Sequence, residues 1–319
     1  MKLIIQIPCY NEAETLAITL DDLPKEIDGI DVIEYLIIND GSIDDTVKAA
    51  KEWGVHHIVS FKRNKGLAKA FMAGLDACLS NGADIIVNTD ADNQYVGDDI
   101  AKLVKPILLE EADVVIGARP IEETAHFSFL KKRLQRFGSW VVRKASRTDI
   151  PDAPSGFRAY SREAAIGLNV INDYTYTLET IVQAGRNKMA VKSVPIRTNP
   201  ELRKSRLMKS MWSYVKISML TIVRTLMWYK PLYCFTMIAV FPIAVGMVPT
   251  IRFLYFYFTY GGAGHIQSLI LACTLLIIGF ITFMIGLVAD VIATNRKLLE
   301  DIQYRVRKQE YDEKSQGRL

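Results

Sequence analysis

The stretch Ala83-Asp84-Ile85-Ile86-Val87-Asn88-Thr89-Asp90-Ala91-Asp92-Asn93-Gln94 places two carboxylates, one residue apart, just after a short apolar run. Such a run is typical of a buried parallel strand, and ligands of open α/β sheets bind beyond the carboxyl ends of these strands. In extended chain, Asp90 and Asp92 point the same way and are able to face one divalent cation, with Gln94 as a further ligand. Because hard oxygen ligands favour Mg²⁺ or Mn²⁺, the stretch predicts a metal-bound diphosphate at this edge.

A plainer interpretation of the same acids stays open at this point. They would then only terminate a strand and cap a helix that begins near Asp98 or Asp99. The position of the acids at a strand end adds weight to the metal-site interpretation.

Short apolar runs alternate with helical patterns along residues 1–117. The runs lie at residues 3–7, 35–38, 57–61, 85–87 and 114–117. The helical patterns, with apolar residues at i, i+3 or i+4, lie at 15–23, 45–53, 67–79 and 99–109. This alternation predicts an α/β fold with a mostly parallel sheet covered by helices on both faces. A helix near 175–185 and a strand near 191–196 complete the predicted domain, at residues 1–206.

Two later stretches, residues 232–251 and 266–289, contain no charged residue. About 20 apolar residues cross a bilayer as a helix, so we expect a transmembrane hairpin at residues 231–292. Two buried helices of a large soluble core are the alternative. Basic residues flank the hairpin on both outer sides, whereas the link at 260–265 has none, so both termini and the catalytic domain are expected to be cytoplasmic.

Charge elsewhere in the chain is local. The 39 Lys and Arg residues exceed the 35 acids by only 4, which gives no reason to expect a nucleic-acid partner. Residues 129–147 hold seven Lys or Arg and no acid, and residues 207–230 read as amphipathic interfacial helices, with a soluble core helix as the alternative. The tail at 293–319 is expected to be a charged cytoplasmic helix that frays into disorder. The four cysteines lack the spacing of a zinc site or a disulfide framework.

Two more strand ends carry polar residues, at 8–12 and 39–46. In an open sheet these ends converge with Asp90 on one crevice. Asp40 would accept a hydrogen bond from a ribose hydroxyl or a base N–H. Pro8 and Tyr10 would form an apolar wall for a nucleobase, or would simply pack. Asp44 or Ser42 is expected to cap a helix rather than bind a ligand.

The order and spacing of six motifs resemble family 2 glycosyltransferases of the GT-A (Rossmann-like) fold. Among these the chain looks most like polyprenyl-phosphate glycosyltransferases such as dolichol-phosphate mannose synthase and the GtrB-type enzymes. The matching motifs are Pro8-Cys9-Tyr10-Asn11-Glu12, Asp40-Gly41-Ser42, Asn64-Lys65-Gly66, Asp90-Ala91-Asp92-Asn93-Gln94, Gly117-Ala118-Arg119 and Ser155-Gly156-Phe157-Arg158.

The resemblance implies an inverting transfer of a sugar from a UDP-hexose or GDP-mannose to undecaprenyl or dolichyl phosphate at a prokaryotic plasma membrane. It implies a nucleotide site made of Pro8, Tyr10, Glu12, Asp40 and Asp90. It implies a Mg²⁺ or Mn²⁺ site made of Asp90, Asp92 and Gln94. Membrane hairpins often associate, so a homo-oligomer is compatible with this interpretation.

The acceptor side of the site follows from the same resemblance. Arg119, Arg133 and Arg136 are expected to bind the lipid phosphate. Arg119 and Arg158 would also assist the departing diphosphate, while Asp152 either orients the acceptor, acts as a weak base or makes a structural contact. A phosphate monoester has a second pKa of about 6, so its attacking oxygen is largely ionised without a general base.

Two different classes of protein remain as alternatives. A membrane-anchored nucleotidyltransferase would need a glycine-rich, arginine-containing loop after the first strand, where residues 8–12 stand instead. A non-catalytic membrane scaffold with the same fold is the other. A processive synthase is excluded because it needs a Gln-x-x-Arg-Trp motif, which Gln183-Ala184-Gly185-Arg186 does not match.

Overall fold

The computed structural model describes residues 1–120, 148, 150–170, 176–200, 224, 227, 230–261 and 266–315. The chain forms two compact units, Met1–Met219 together with Asp301–Leu319, and Leu220–Glu300. The predicted basic segment at 129–147 lies outside the described residues. So does the predicted interfacial segment at 207–230, apart from residues 224, 227 and 230.

The first unit contains a seven-stranded mixed sheet within the described residues. Its strands are β1 (Lys2–Cys9), β2 (Val32–Asn39), β3 (His57–Ser60), β4 (Ile85–Asn88), β5 (Val114–Ala118), β6 (Arg158–Ser161) and β7 (Val191–Pro195). Their spatial order is β3-β2-β1-β4-β6-β5-β7. The helices of this unit are α1 (Ala13–Asp22), α2 (Thr46–Trp53), α3 (Leu67–Ser80), α4 (Ile100–Leu108), α5 (Arg162–Gly167) and α6 (Thr177–Arg186).

Helices cover both faces of the interior strand β1, whose side chains alternate between the two faces. Leu3, Ile5 and Ile7 belong to one core cluster with residues of α1 and α4. On the other face, Gln6 lies against Gly74 of α3 so closely that a side chain there would overlap it. Burial on both sides explains why β1 reads as a nearly continuous apolar run.

The predicted α/β fold is confirmed, but one strand and one helix of it were not predicted. They are β6 and α5, and β6 runs antiparallel between β4 and β5. Asn88 at the carboxyl end of β4 therefore pairs with Arg158 at the start of β6. As a result, the turn that precedes β6 reaches the same sheet edge as the ends of the parallel strands.

The second unit is a helical hairpin of α7 (Pro231–Tyr260) and the first part of α8 (Ile266–Ser315). Both helices are long and apolar enough to cross a membrane, with mean hydropathies of 2.0 and 2.6 over their most apolar windows. Gly279 packs directly against Ile243, where a side chain would overlap it. Close approach at small residues is typical of membrane helix pairs.

The end of α8 belongs to the first unit and packs on its surface. Arg307 donates to the carbonyls of Ile166 and Leu168 at 3.1 and 2.8 Å and pairs with Asp76. The hydroxyl of Tyr311 donates to Asp76 at 3.0 Å, and this tyrosine is buried. The predicted helix of this tail therefore extends to Ser315, and residues 316–319 lie outside the described residues.

Replacing Arg307 by alanine should destabilise the first unit. The change leaves the two carbonyls and Asp76 without this donor, at a cost of about 2 kcal/mol. We expect the melting temperature in detergent to fall by about 4 to 8 °C. Arg305→Ala is the matched control, because Arg305 lies on the same helix and makes an exposed ion pair with Asp301. Equal shifts in the two variants would contradict the packing of this segment.

Candidate active site

The ends of the parallel strands bring three loops together at one edge of the sheet. Cys9 at the end of β1 pairs with Asn39 at the end of β2, and Gln6 of β1 pairs with Asn88 at the end of β4. The convergence predicted for the three polar strand ends follows from this register. The roles of Asp90 and Asp92 at this edge stay a prediction.

The loops after β1 and β2 are fastened to each other by hydrogen bonds. The N–H of Asn11 donates to the hydroxyl of Ser42 at 3.0 Å, and its side-chain oxygen accepts from Ile43 at 2.9 Å. Asn11 adopts a left-handed conformation at φ 57°, which asparagine tolerates well. Asp44 accepts from the N–H groups of Thr46 and Ala13 at the starts of α2 and α1, although the N-cap of α2 is Asp45 rather than the predicted Asp44 or Ser42.

Asp40 is only 4% exposed and binds the chain itself. Its two carboxylate oxygens accept from the N–H groups of Lys65 and Gly66 at 2.6 and 2.9 Å. Gly41, at φ +70°, lies against the backbone of Arg63, where a side chain would not fit. Asp40 thus fixes the loop that precedes α3, and its contact with a nucleoside stays a prediction.

The other predicted nucleoside residues line the same edge with different exposure. Tyr10 is 44% exposed, so its ring is available to a ligand rather than packed in the core. Pro8 and Glu12 are partly buried. The Glu12 carboxylate accepts from the Thr15 hydroxyl at 3.1 Å.

Asp90 lies where acidic side chains are concentrated. Burial, followed by the charge of Asp92, raises the pKa of Asp90 to about 7, while Arg119 opposes the shift. Asp92 accepts from the N–H of Gln94 at 3.2 Å, which closes a tight turn. Within that turn, Asn93 has φ 53°, and its buried side-chain oxygen has no hydrogen-bond partner among the described residues.

This donor set fits a hard cation. Two carboxylates, an amide oxygen and the orphaned oxygen of Asn93 are ligands that Mg²⁺ or Mn²⁺ prefers. No group of three His, Cys, Asp or Glu residues able to hold a metal occurs in the described part of the chain. Further ligands would therefore come from water or from a bound phosphate group, as is usual for Mg²⁺.

Arg119 and Asp152 form a bidentate ion pair at the same edge. The Arg119 side chain donates to the two Asp152 oxygens at 2.7 and 3.0 Å, and its backbone N–H adds a third contact at 3.3 Å. Asp152 is fully buried. Both of its oxygens are bound to Arg119, which is a structural contact, and its acceptor-orienting and weak-base roles stay predictions.

Arg158 lies beneath the turn rather than in the crevice. It is fully buried, and it donates to the carbonyls of Ser155, Ala153 and Thr177 and to the Thr180 hydroxyl at 2.7 to 2.9 Å. The expected direct contact of Arg158 with a diphosphate does not fit this arrangement, because four of its five N–H donors are bound to protein oxygens. Its charge acts on Asp90 only through space.

The two acceptor arginines, Arg133 and Arg136, lie outside the described residues. Sequence reasoning also missed four buried polar residues of the site, Gln6, Asn88, Tyr95 and Tyr176. Asn88 did carry a signal, since it is an amide at the end of an apolar run. The two tyrosines carried none, because their burial depends on contacts distant in sequence.

Comparison with known proteins agrees with this architecture. The chain is 31% identical over 60% of its length to a UDP-N-acetylglucosamine–dolichyl-phosphate N-acetylglucosaminyltransferase of Methanococcus voltae, 83% of which is covered. It is 29% identical over 61% of its length to an undecaprenyl-phosphate mannosyltransferase of Micrococcus luteus, again with 83% covered.

Solved structures show the same fold at low sequence identity. Glucosyl-3-phosphoglycerate synthase of Mycobacterium tuberculosis, in complex with Mn²⁺, UDP and phosphoglyceric acid, superposes with a TM-score of 0.55 at 19% identity. The match covers 71% of this chain and 77% of that one. The family model for glycosyl transferase family 2 matches residues 4–168, just over half of the chain. The chain therefore belongs to glycosyl transferase family 2, and its first unit has the GT-A fold.

Proposed function

We propose that this glycosyltransferase moves a sugar from a nucleoside diphosphate to the phosphate of a polyprenyl lipid and inverts the anomeric carbon. The convergence of Asp90, Asp92 and Arg119 at one sheet edge is the observation that carries the proposal. Relatives named as dolichyl-phosphate and undecaprenyl-phosphate transferases support the acceptor class. A UDP-hexose or GDP-mannose is the proposed donor.

The nucleotide half of the donor lies along the loops after β1 and β2. Tyr10 offers an exposed ring to the base, and the partly buried Glu12 of the same loop is a further proposed contact of the nucleoside. Asp90, Asp92 and Gln94 would hold Mg²⁺ or Mn²⁺, as the neighbour with bound Mn²⁺ and UDP suggests. A cation bound there would neutralise charge that develops on the departing diphosphate.

Arg119 faces the acceptor side and is held in one orientation by Asp152. An oxygen of the lipid phosphate attacks the anomeric carbon, and the bond from that carbon to the diphosphate breaks with its electron pair. The attacking oxygen is already largely ionised near pH 7, so no residue has to remove a proton. Arg119, with Arg133 and Arg136, binds and orients this anion.

The two apolar helices fit such an acceptor. Exposing a polyprenyl chain to water costs about 0.8 kcal/mol per CH₂ group, so the enzyme has to work at the membrane surface. The flanking basic residues support a topology with the catalytic unit and both termini in the cytoplasm. Family membership disfavours the nucleotidyltransferase alternative. A non-catalytic scaffold is distinguished from an enzyme by an assay for turnover of a nucleotide sugar.

The deciding experiment incubates the full chain in lipid nanodiscs with UDP- and GDP-sugars and with undecaprenyl or dolichyl phosphate. We expect one labelled sugar to appear on the lipid phosphate, with inverted anomeric configuration. The same sugars with 3-phosphoglyceric acid are the soluble-acceptor control. Transfer to that acceptor alone, or no turnover of any nucleotide sugar, would contradict the proposal.

Asp92→Ala should lower metal-dependent transfer by about 100-fold or more, because the cation loses a charged ligand where leaving-group charge develops. Asp98→Ala is the matched control, since Asp98 follows in the same segment and its side chain is 80% exposed. Initial rates with saturating Mn²⁺ compare the two. An active Asp92→Ala enzyme would rule out this metal site.

Arg133→Ala and Arg136→Ala should weaken use of the lipid phosphate more than nucleotide binding. The loss of one charge-assisted hydrogen bond predicts a rise of about tenfold in KM for the lipid. Calorimetry measures the affinity of the same variants for UDP or GDP, which is compared with the change in KM for the lipid. An equal loss of lipid-phosphate use and of nucleotide affinity would argue against an acceptor role for these arginines.

The raised pKa of Asp90 predicts a pH-dependent stability difference. In the unfolded chain this carboxyl ionises near pH 4, whereas in the folded protein it does so at about 7. The folded state therefore loses stability as the pH rises between these values. Without metal, Asp90→Asn should melt above the wild type by a margin that grows from pH 5 to 7 and then levels off.

Melting curves in EDTA at pH 5, 6, 7 and 8 measure this margin. Asp98→Asn is the control for removal of an exposed carboxylate, because the Asp98 side chain is 80% exposed. A margin for Asp90→Asn that shrinks as the pH rises would contradict the placement of Asp90 in a desolvated, acidic site.

A further inference from the structure

The peptide at Gly156 is held by three buried side chains. The Asn88 amide donates to the Gly156 carbonyl at 2.9 Å, and the Tyr176 hydroxyl donates to the same oxygen at 3.2 Å. On the opposite side, the N–H of Gly156 donates to the Tyr95 hydroxyl at 3.3 Å. Both polar groups of this residue therefore bind side chains rather than strand partners.

The held peptide lies directly against the carboxylate of Asp90. A Cβ atom added to Gly156 would lie 3.1 and 3.2 Å from the two Asp90 oxygens and 3.0 Å from the Tyr176 hydroxyl. These separations are tighter than ordinary van der Waals contact, so even a methyl group would displace one of the neighbours. The position of Gly156 thus limits where the Asp90 carboxylate is able to point.

The side chains that hold Gly156 are themselves fixed. The Tyr176 ring is 1% exposed and stacks on Phe71 with centroids 3.9 Å apart and planes at 5°. Asn88 donates to the Tyr176 hydroxyl at 2.8 Å and accepts from the Gln6 amide at 3.0 Å. A buried network whose members are all hydrogen-bonded is rigid, because each alternative arrangement leaves a polar group unsatisfied.

We propose that Tyr176 is a positioning residue for the transfer reaction. With Asn88 it holds Gly156 against Asp90, and this contact sets the direction in which the carboxylate faces a cation and diphosphate. The inference rests on the proposed function, since it assigns Tyr176 to the same site. Groups that orient a metal-binding side chain are worth about 10- to 100-fold in metal affinity.

Tyr176→Phe tests this role, because it keeps the ring and its stacking and removes only the hydroxyl. Tyr160→Phe is a matched control, since Tyr160 is equally buried and also contacts Phe71, with centroids 5.8 Å apart. The three side chains that hold Gly156 are those of Asn88, Tyr176 and Tyr95, so Tyr160 is not one of them. Calorimetry with UDP and with GDP, each with and without Mn²⁺, gives the readout alongside kcat and KM.

Tyr176→Phe should weaken Mn²⁺-dependent nucleotide affinity about tenfold and leave metal-free affinity unchanged, whereas Tyr160→Phe should change neither. Gly156→Ala should give the same selective defect and provides a second variant if the first does not fold. Unchanged Mn²⁺-dependent affinity in Tyr176→Phe would overturn the proposal, as would an equal loss with and without Mn²⁺. A wild type that binds these nucleotides with Mn²⁺ but transfers no sugar to lipid would overturn the proposed function alone, and a wild type without such binding would overturn both.

Discussion

The antiparallel pairing of β6 with β4 is the constraint on which the site depends. Parallel strands alone would bring the loops after β1, β2 and β4 to one edge. The pairing of Asn88 with Arg158 adds a turn that enters from the opposite chain direction, carrying Asp152 and Gly156. Because of it, Asp152 reaches Arg119 at the end of β5, and Gly156 reaches Asp90.

Charge balance explains how so acidic an edge remains folded. Burial and the charges of Asp92 and Glu12 raise the pKa of Asp90. The nearby positive charges of Arg119 and Arg158 partly reverse this shift. The two arginines contribute differently: Arg119 pairs with the buried Asp152, whereas Arg158 donates to carbonyls of the turn from inside. An acid that is only partly compensated in this position lowers the stability of the fold, a trade of stability for function that enzymes often make.

Local patterns predicted the elements that are buried and regular. The parallel strands β1 to β5 and their helices follow from apolar periodicity, and Asp90 and Asp92 followed from their place after a strand. The four residues of β6 were missed because the run Arg158-Ala159-Tyr160-Ser161 has polar ends and no apolar alternation. The buried role of Arg158 and the packing of Arg307 on α3 and α5 depend on partners far away in sequence, which no local pattern specifies.

Anomalous diffraction at the manganese edge tests most directly the claim that these strand ends form one cation and diphosphate site. Crystals of the full chain grown with Mn²⁺ and UDP or GDP would be measured. The account predicts a single strong peak within coordinating distance of Asp90 or Asp92, with the diphosphate between it and Arg119. A peak elsewhere, or a nucleotide bound away from this edge, would contradict it.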